Sequence, residues 1–482
     1  MTAVARHSAF AAAVMAGFML VAALVALFRN ESGADVFLAT ALLTIFGAGA
    51  VFLAVRNRPA RLDRRSAFAL LVILWGGVPL LAALPVAATT SLGPMGAWLE
   101  AASAFTTTGP VQIHDIDGVP RATLAWLLTL QWGGGLLTLI GFVAVLGPAG
   151  IGGLPDRSAR ATLLGASETS ALEDALRVVL PIYLGATVIC TFLLFAAGER
   201  MFDALGLAGA ALSTGGLLPD EDGMAAHGHS IVKLIFMVFM LVGATSILWQ
   251  RLLLTRRFNL ALGQQENIAL LMLVVVLGII AAAIDYNSAA SPLFLPLALE
   301  DGLFTAVSLV TTTGVEPHGG AFASLPIVLV AAVVFVGGAS FSTAGGIKLY
   351  RAGIMGLQGY LELERLIHPH AVRPRRLGQQ HITLQMMKAI WIMFGVACTS
   401  VAVLTITLAP AMPSFEASFM AALSALWNVG PIYGAGWETS SVWPVWTGLP
   451  VYAQVILIIA MTMGRLEILL VLGLANFAFW RR

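Results

Sequence analysis

Charge is what this sequence has least of. Of its 482 residues only 11% are Asp, Glu, Lys or Arg, against roughly 25% in a soluble globular chain. Hydrophobic residues make up 59%, and mean hydropathy is +0.90. The deficit excludes a soluble enzyme and a disordered chain. Cysteine is scarce as well: Cys190 and Cys398 both lie inside apolar runs and build no disulfide framework. A net charge of +1 gives no case for binding nucleic acid.

What the chain has is apolar length. Runs long enough to cross a bilayer, about 20 residues each, lie near residues 9–28, 36–55, 67–88, 122–147, 175–197, 230–254, 267–286, 325–347, 383–409 and 450–479. A basic start (Arg6, His7) precedes the first run, but further runs follow at once, so it reads as a retained span, not a cleaved signal. Many of the 49 glycines sit within these runs, which implies close backbone packing or broken helices.

Ten spans place the basic clusters on one face. Arg56, Arg58, Arg61, Arg64 and Arg65 fall in one connection; Arg157 and Arg160 in another; Arg251, Arg256 and Arg257 in a third. Lys348, Arg351, Arg365, Arg373, Arg375 and Arg376 follow, and Arg481 and Arg482 end the sequence. The positive-inside rule makes that face cytoplasmic and puts both termini there. Connections on the opposite face carry Asp115, Asp117, Asp220, Glu221, Asp222, Glu316 and Glu438, an acidic mouth that would concentrate cations.

The chain also repeats itself. Four short apolar segments, too short to span, carry an acid near their starts (Glu100, Asp203, Asp301, Glu416) and end in polar turns. The turns are Thr106-Thr107-Thr108-Gly109-Pro110, Ser213-Thr214-Gly215-Gly216, Thr311-Thr312-Thr313-Gly314-Val315 and Trp427-Asn428-Val429-Gly430-Pro431. Each unit reads as span, re-entrant half-helix, turn, span. Irregular backbone at membrane depth is tolerated only where protein buries it or where it lines a wet cavity. Four equivalent turns are most simply accommodated around one axis, where carbonyl oxygens can replace the hydration shell of a monovalent cation. The predicted fold is therefore an all-α integral membrane protein with four span–pore-loop–span repeats around one central pore, plus two additional N-terminal helices. The predicted boundaries are residues 1–60 for the leading pair, then 61–155, 156–258, 259–376 and 377–482 for the repeats.

This pattern resembles the Trk/Ktr/HKT superfamily of potassium transporters, and specifically its Trk-type membrane subunit, over nearly the whole chain. Gln131-Trp132-Gly133-Gly134 and Gly464-Arg465-Leu466-Glu467 match further family motifs. The resemblance implies a potassium filter built from Gly109, Gly215, Gly314 and Gly430. The residues preceding each glycine would add carbonyl oxygens: Thr107 and Thr108, Ser213 and Thr214, Thr312 and Thr313, Asn428 and Val429.

It also implies an intramembrane gate loop in the glycine-rich eighth run. That loop comprises Gly337, Gly338, Ser340, Phe341, Ser342, Thr343, Gly345 and Gly346, followed by Lys348. Arg465, with Glu467 near it, would clamp the loop through its freed carbonyls. The sequence departs from the family at Phe341, where a glycine is usual in the gate loop, at Leu137, and at Pro110, Leu217 and Glu316 beside the filter.

By the same resemblance the protein is expected to be a homodimer in a prokaryotic cytoplasmic membrane. A separate cytosolic ring of nucleotide-binding subunits would regulate it, docked on the basic loops near residues 348–380. No G-x-G-x-x-G on a strand–helix pattern occurs in the chain, so nucleotide acts only through that partner. No covalently bound cofactor is expected.

Two other classes compete. A sodium-coupled carrier of a small solute would also use broken helices, but as inverted halves, whereas these four units point the same way. An intramembrane enzyme would draw on Ser340 or Ser342, yet the histidines lie in loops or near span ends, where no His-based dyad or HExxH forms within a span. His227-x-His229 is a loop pair with little claim to a metal.

Overall fold

A computed structural model describes residues 2–58, 62–109, 118–150, 153, 171–220, 223–288, 295–368, 376–377, 380–437 and 442–475. Two long helices, α1 (Thr2–Arg29) and α2 (Ala34–Val55), pack as an antiparallel pair against the first repeat. The four repeats then follow. The first contains α3 (Arg64–Thr89), α4 (Pro94–Phe105) and α5 (Arg121–Gly141). The second contains α6 (Ala171–Ala196), α7 (Met201–Ser213), α8 (Ser230–Ala244) and α9 (Ile247–Leu254). The third contains α10 (Gln265–Ser288), α11 (Leu295–Val310), α12 (Ile327–Val336) and α13 (Leu349–Ile367). The fourth contains α14 (Leu384–Leu408), α15 (Phe415–Trp427), α16 (Val451–Leu466) and α17 (Ile468–Ala475). A two-residue antiparallel pair, β1 (Arg376–Leu377) with β2 (Gln380–His381), precedes α14.

Local signals set the helix starts. Asp63 caps α3 by accepting from Ser66 N at 3.2 Å, Thr383 caps α14 from Met386 N at 3.2 Å, and Ser414 caps α15 from Ala417 N at 3.1 Å. Pro94 opens α4, where its missing N–H costs nothing. Pro79 and Pro85 sit inside α3, and the Thr89 hydroxyl donates to the Pro85 carbonyl at 2.8 Å. Leu, Val and Phe on the outer faces of α1, α2 and α6 are exposed, as lipid-facing side chains are, while Trp75 and Trp126 fill the interior.

Seven helices among the described residues are long and apolar enough to cross a membrane. The sixth apolar run is not the single helix its hydropathy predicts. It bends by 106° between α8 and α9, at Thr245-Ser246. The eighth run is helical only over α12, and the tenth splits at Glu467, whose φ is +64°. In the first repeat the equivalent stretch, Phe142–Leu146, is π-helical. All four closing helices thus lose regular α geometry part-way along.

The acids expected near the starts of the half-helices divide two and two. Asp203 and Glu416 lie in the first turns of α7 and α15, but Glu100 and Asp301 lie midway along α4 and α11. Only the first pair is placed to complement a helix dipole.

Candidate functional site

The four half-helices end alike. Thr107, Thr214, Thr312 and Asn428 each take a left-handed conformation, with φ of +53°, +50°, +59° and +57°. The next N–H then reaches back five residues: Thr108 to Ser103 O, Gly215 to Ala210 O, Thr313 to Ser308 O and Val429 to Ser424 O, all at 2.9–3.0 Å. This is a Schellman-type termination. The repeat read in the sequence is thus a repeat of backbone conformation. The expected glycine elbows are only partly so: Gly109 and Gly314 have positive φ (+92° and +77°), while in all four turns a non-glycine residue makes the left-handed step.

The turns meet in a closed ring. A Cβ on Gly109 would stand 2.7 Å from Gly216 Cα, and one on Gly216 would stand 3.1 Å from Thr313 O. A Cβ on Gly314 would stand 2.8 Å from Val429 Cγ1, and Gly430 N donates to Thr108 O at 2.6 Å, which joins the fourth turn to the first. Thr107, Thr108, Ser213, Thr214, Thr312 and Thr313 are fully buried. Four helix C-termini converging on one point bring four negative dipole ends together, an environment suited to a cation.

Side chains around the ring hold the turns. Gln131 clamps the second turn from both sides, Nε2 donating to Leu217 O at 3.1 Å and Oε1 accepting from Leu217 N at 2.9 Å. Asn428 Nδ2 donates to Thr108 Oγ1 at 3.0 Å and to Met461 O at 2.9 Å. Thr106 and Thr108 share a hydroxyl contact of 2.8 Å, repeated by Thr311 and Thr313 at 2.8 Å.

Below the ring, residues 337–348 form a compact buried loop between α12 and α13. Gly345 N donates to the Thr312 hydroxyl at 2.6 Å, which ties the loop to the third turn. The Thr343 hydroxyl contacts Leu212 O at 3.0 Å and Gly243 O at 2.9 Å. Ser340 and Ser342 are buried, with the Ser342 hydroxyl donating to Ala339 O at 2.6 Å. Gly337 and Gly346 pack backbone to backbone, and Gly338 lies against Ala344. Phe341 has φ +59°, and its ring lies edge-on to Phe142 at 6.4 Å. Lys348 Nζ donates to Ala344 O and lies 4.9 Å from the centre of the Phe142 ring.

Arg465 bridges ring and loop. Its Nε donates to Thr106 O at 2.6 Å, its Nη1 to Thr343 O at 2.5 Å and its Nη2 to the Thr107 hydroxyl. Glu467 is not its partner: that carboxylate accepts from Arg351, 3.1 Å away and 1% exposed. Arg351 and Lys348 are therefore buried parts of the loop region, not members of an exposed basic connection; Arg365 and Arg376 are exposed. Sequence reading missed Arg351 as a structural cation and missed Glu266, whose Oε1 accepts from Ser340 N at 2.6 Å. The first-turn position of Glu266 in α10, directly after a polar Gln264-Gln265 pair, was the available signal.

The acidic face opposite the basic clusters is more neutral than its composition suggests. Asp220 lies 3.1 Å from His227, 3.7 Å from Arg200 and 4.0 Å from Arg121, and His227 also contacts Glu199 at 2.8 Å. Glu316 accepts from Phe322 N at 2.7 Å and Gly320 N at 3.3 Å; burial pushes its carboxyl above the ordinary carboxylate range. Asp115, Asp117, Glu221, Asp222 and Glu438 lie outside the described residues, as do Pro110, Arg61, Arg157, Arg160, Arg373, Arg375, Arg481 and Arg482.

A closed ring of re-entrant helix ends inside a shell of bilayer-length helices defines a multi-pass membrane transport protein. The chain belongs to the TrkH family of cation transport proteins, which it matches over residues 32–261 and 254–477. It is 30% identical to the Trk system potassium uptake protein TrkH of Halomonas elongata, with 90% of each chain covered. It is 27% identical to that of Escherichia coli K12, with 97% of each covered. The crystal structure of the potassium transporter TrkH from Vibrio parahaemolyticus superposes with a TM-score of 0.84 at 26% identity, covering 100% of this chain and 99% of that one.

Proposed function

We propose that this protein conducts potassium ions into the cell through the ring of four turns. The observation that carries the reading is ring closure, with each turn touching the next and the fourth bonded back to the first through Gly430 N and Thr108 O. Main-chain oxygens of Thr107, Thr108, Ser213, Thr214, Thr312, Thr313, Asn428 and Val429, with the four following glycines, would replace water around a dehydrated ion. The membrane potential supplies the drive, about 2.3 kcal/mol per charge per 100 mV.

Loop 337–348 acts as the gate, seated beneath the ring and held by Arg465. A cytosolic nucleotide-binding partner controls it, the protein works as a homodimer in the prokaryotic inner membrane, and both termini face the cytoplasm. Names of the relatives as parts of a "Trk system" support a multi-component assembly, and the clustering of basic residues supports the orientation. Purified protein in liposomes, with potassium and sodium compared in matched gradients, tests the reading. Selective potassium flux that Gly314→Val abolishes is the expected result; potassium and sodium passing equally, or neither passing, refutes it.

A further inference from the structure

The first residues of α10 touch two broken helices at once. Glu266 Oε1 accepts from Ser340 N at 2.6 Å and from Tyr350 N at 3.0 Å, so a single oxygen binds loop 337–348 near its start and the first turn of α13 beyond its end. The adjacent residue, Asn267, is 1% exposed, and its Oδ1 accepts from Ser246 N at 3.0 Å inside the α8–α9 break. The two breaks are also bonded to each other. Ala339 N donates to Ala244 O at 3.0 Å, Ile247 N to Phe341 O at 3.0 Å, and Thr343 N to Gly243 O at 3.2 Å.

A helix break frees N–H groups, and those of Ser246, Ser340 and Tyr350 belong to residues buried inside the protein, so each needs a protein acceptor. Two consecutive side chains of one helix meet that need for two different repeats. The Glu266 oxygen carries two of these bonds, one to each side of the loop. Among the described residues the side-chain bonds of Glu266 and Asn267 go to the loop, to α13 and to the α8–α9 break, and none goes to the ring.

We propose that Glu266 and Asn267 are positioning residues of the gate, a two-residue staple that keeps loop 337–348 docked in the α8–α9 break. The inference rests on the gate reading above. Its consequence is that the second repeat's broken helix is the other half of the gate: the loop leaves its seat only when these acceptors are exchanged or the start of α10 shifts.

The test measures potassium and sodium flux by the full-length protein in liposomes of phosphatidylethanolamine and phosphatidylglycerol. Glu266→Ala is expected to raise potassium flux roughly tenfold, the population shift that loss of a buried hydrogen-bond acceptor gives. The potassium-over-sodium ratio stays at the parent value, which general loosening of the fold would not allow. Glu266→Gln keeps an acceptor oxygen and returns flux to within about threefold of the parent. Asn267→Ala moves flux in the same direction as Glu266→Ala and stands in for it should that variant not assemble. Parent-like flux in the alanine variants, or a changed ion ratio at unchanged flux, overturns the staple alone. A parent that passes no potassium overturns the function reading, and the staple with it.

Discussion

Four residues of the ring accept an unfavourable backbone. For an L-residue other than glycine the left-handed region costs roughly 1–2 kcal/mol, and Thr107, Thr312 and Asn428 return that cost in side-chain bonds to Arg465, Gly345 and Thr108. Phe341 bears the same strain inside the loop with no polar return; its ring packs on Phe142 and closes against Gly147. Phe341→Gly is therefore expected to relieve about 1 kcal/mol of backbone strain while removing the ring that ties the loop to the first repeat. Flux through the variant in liposomes should rise, and thermal stability should fall, because loss of a buried ring costs about 3–5 kcal/mol, more than the strain relieved; unchanged flux would exclude the ring from gating. Arg465→Ala strips the donor from Thr106 O and Thr343 O, each a buried carbonyl worth about 1–3 kcal/mol when left unpaired. Altered conductance with normal membrane insertion is the expected outcome, read by flux assay and membrane fractionation. Arg465 stood out in the sequence because a charge at that depth demands a partner. Arg351 did not, since an arginine just past an apolar run looks like any cytoplasmic charge until Glu467 is found facing it.

At the scale of elements, the apolar runs were legible and their interruptions only partly so. The loop at 337–348 announces itself by four glycines, at positions 337, 338, 345 and 346. The break at Thr245-Ser246 does not, because what stabilises it is remote: Asn267 from α10, and Phe341 O from the loop. Hydropathy reads composition along a run and is blind to acceptors supplied from elsewhere. Close helix contact leaves a clearer mark. Gly134 on α5 lies where any Cβ would run into Phe105 O at the end of α4. Gly134→Ala should lower thermal stability by about 1–3 kcal/mol, the usual cost of overpacking, measured by heating detergent-solubilised protein and following its elution profile.

For the whole molecule, chain order equals ring order, and each half of the chain supplies two of the four turns. Residues 1–263 or 264–482 expressed alone should insert without supporting growth of cells that lack potassium uptake, whereas the two together should restore it. That result requires the halves to reassemble through contacts such as Lys233 with Asp301 at 2.9 Å. Acidity acts at the face opposite the basic clusters. Burial raises the Glu316 carboxyl, so its contribution to stability is complete below the ordinary carboxylate range and is lost as pH rises through the raised value. Melting temperature across that interval should fall with rising pH in the parent and stay level in Glu316→Gln.

Asn428 stands where the other three quadrants have threonine. A tetramer of identical subunits has no means of making such a change at one corner, because every mutation arrives in four copies. A tandem chain edits its walls singly. One side of the passage can be specialised as a fixed abutment while the remaining three are tuned for the traveller, and mutations at these four sites should accordingly produce four distinct phenotypes.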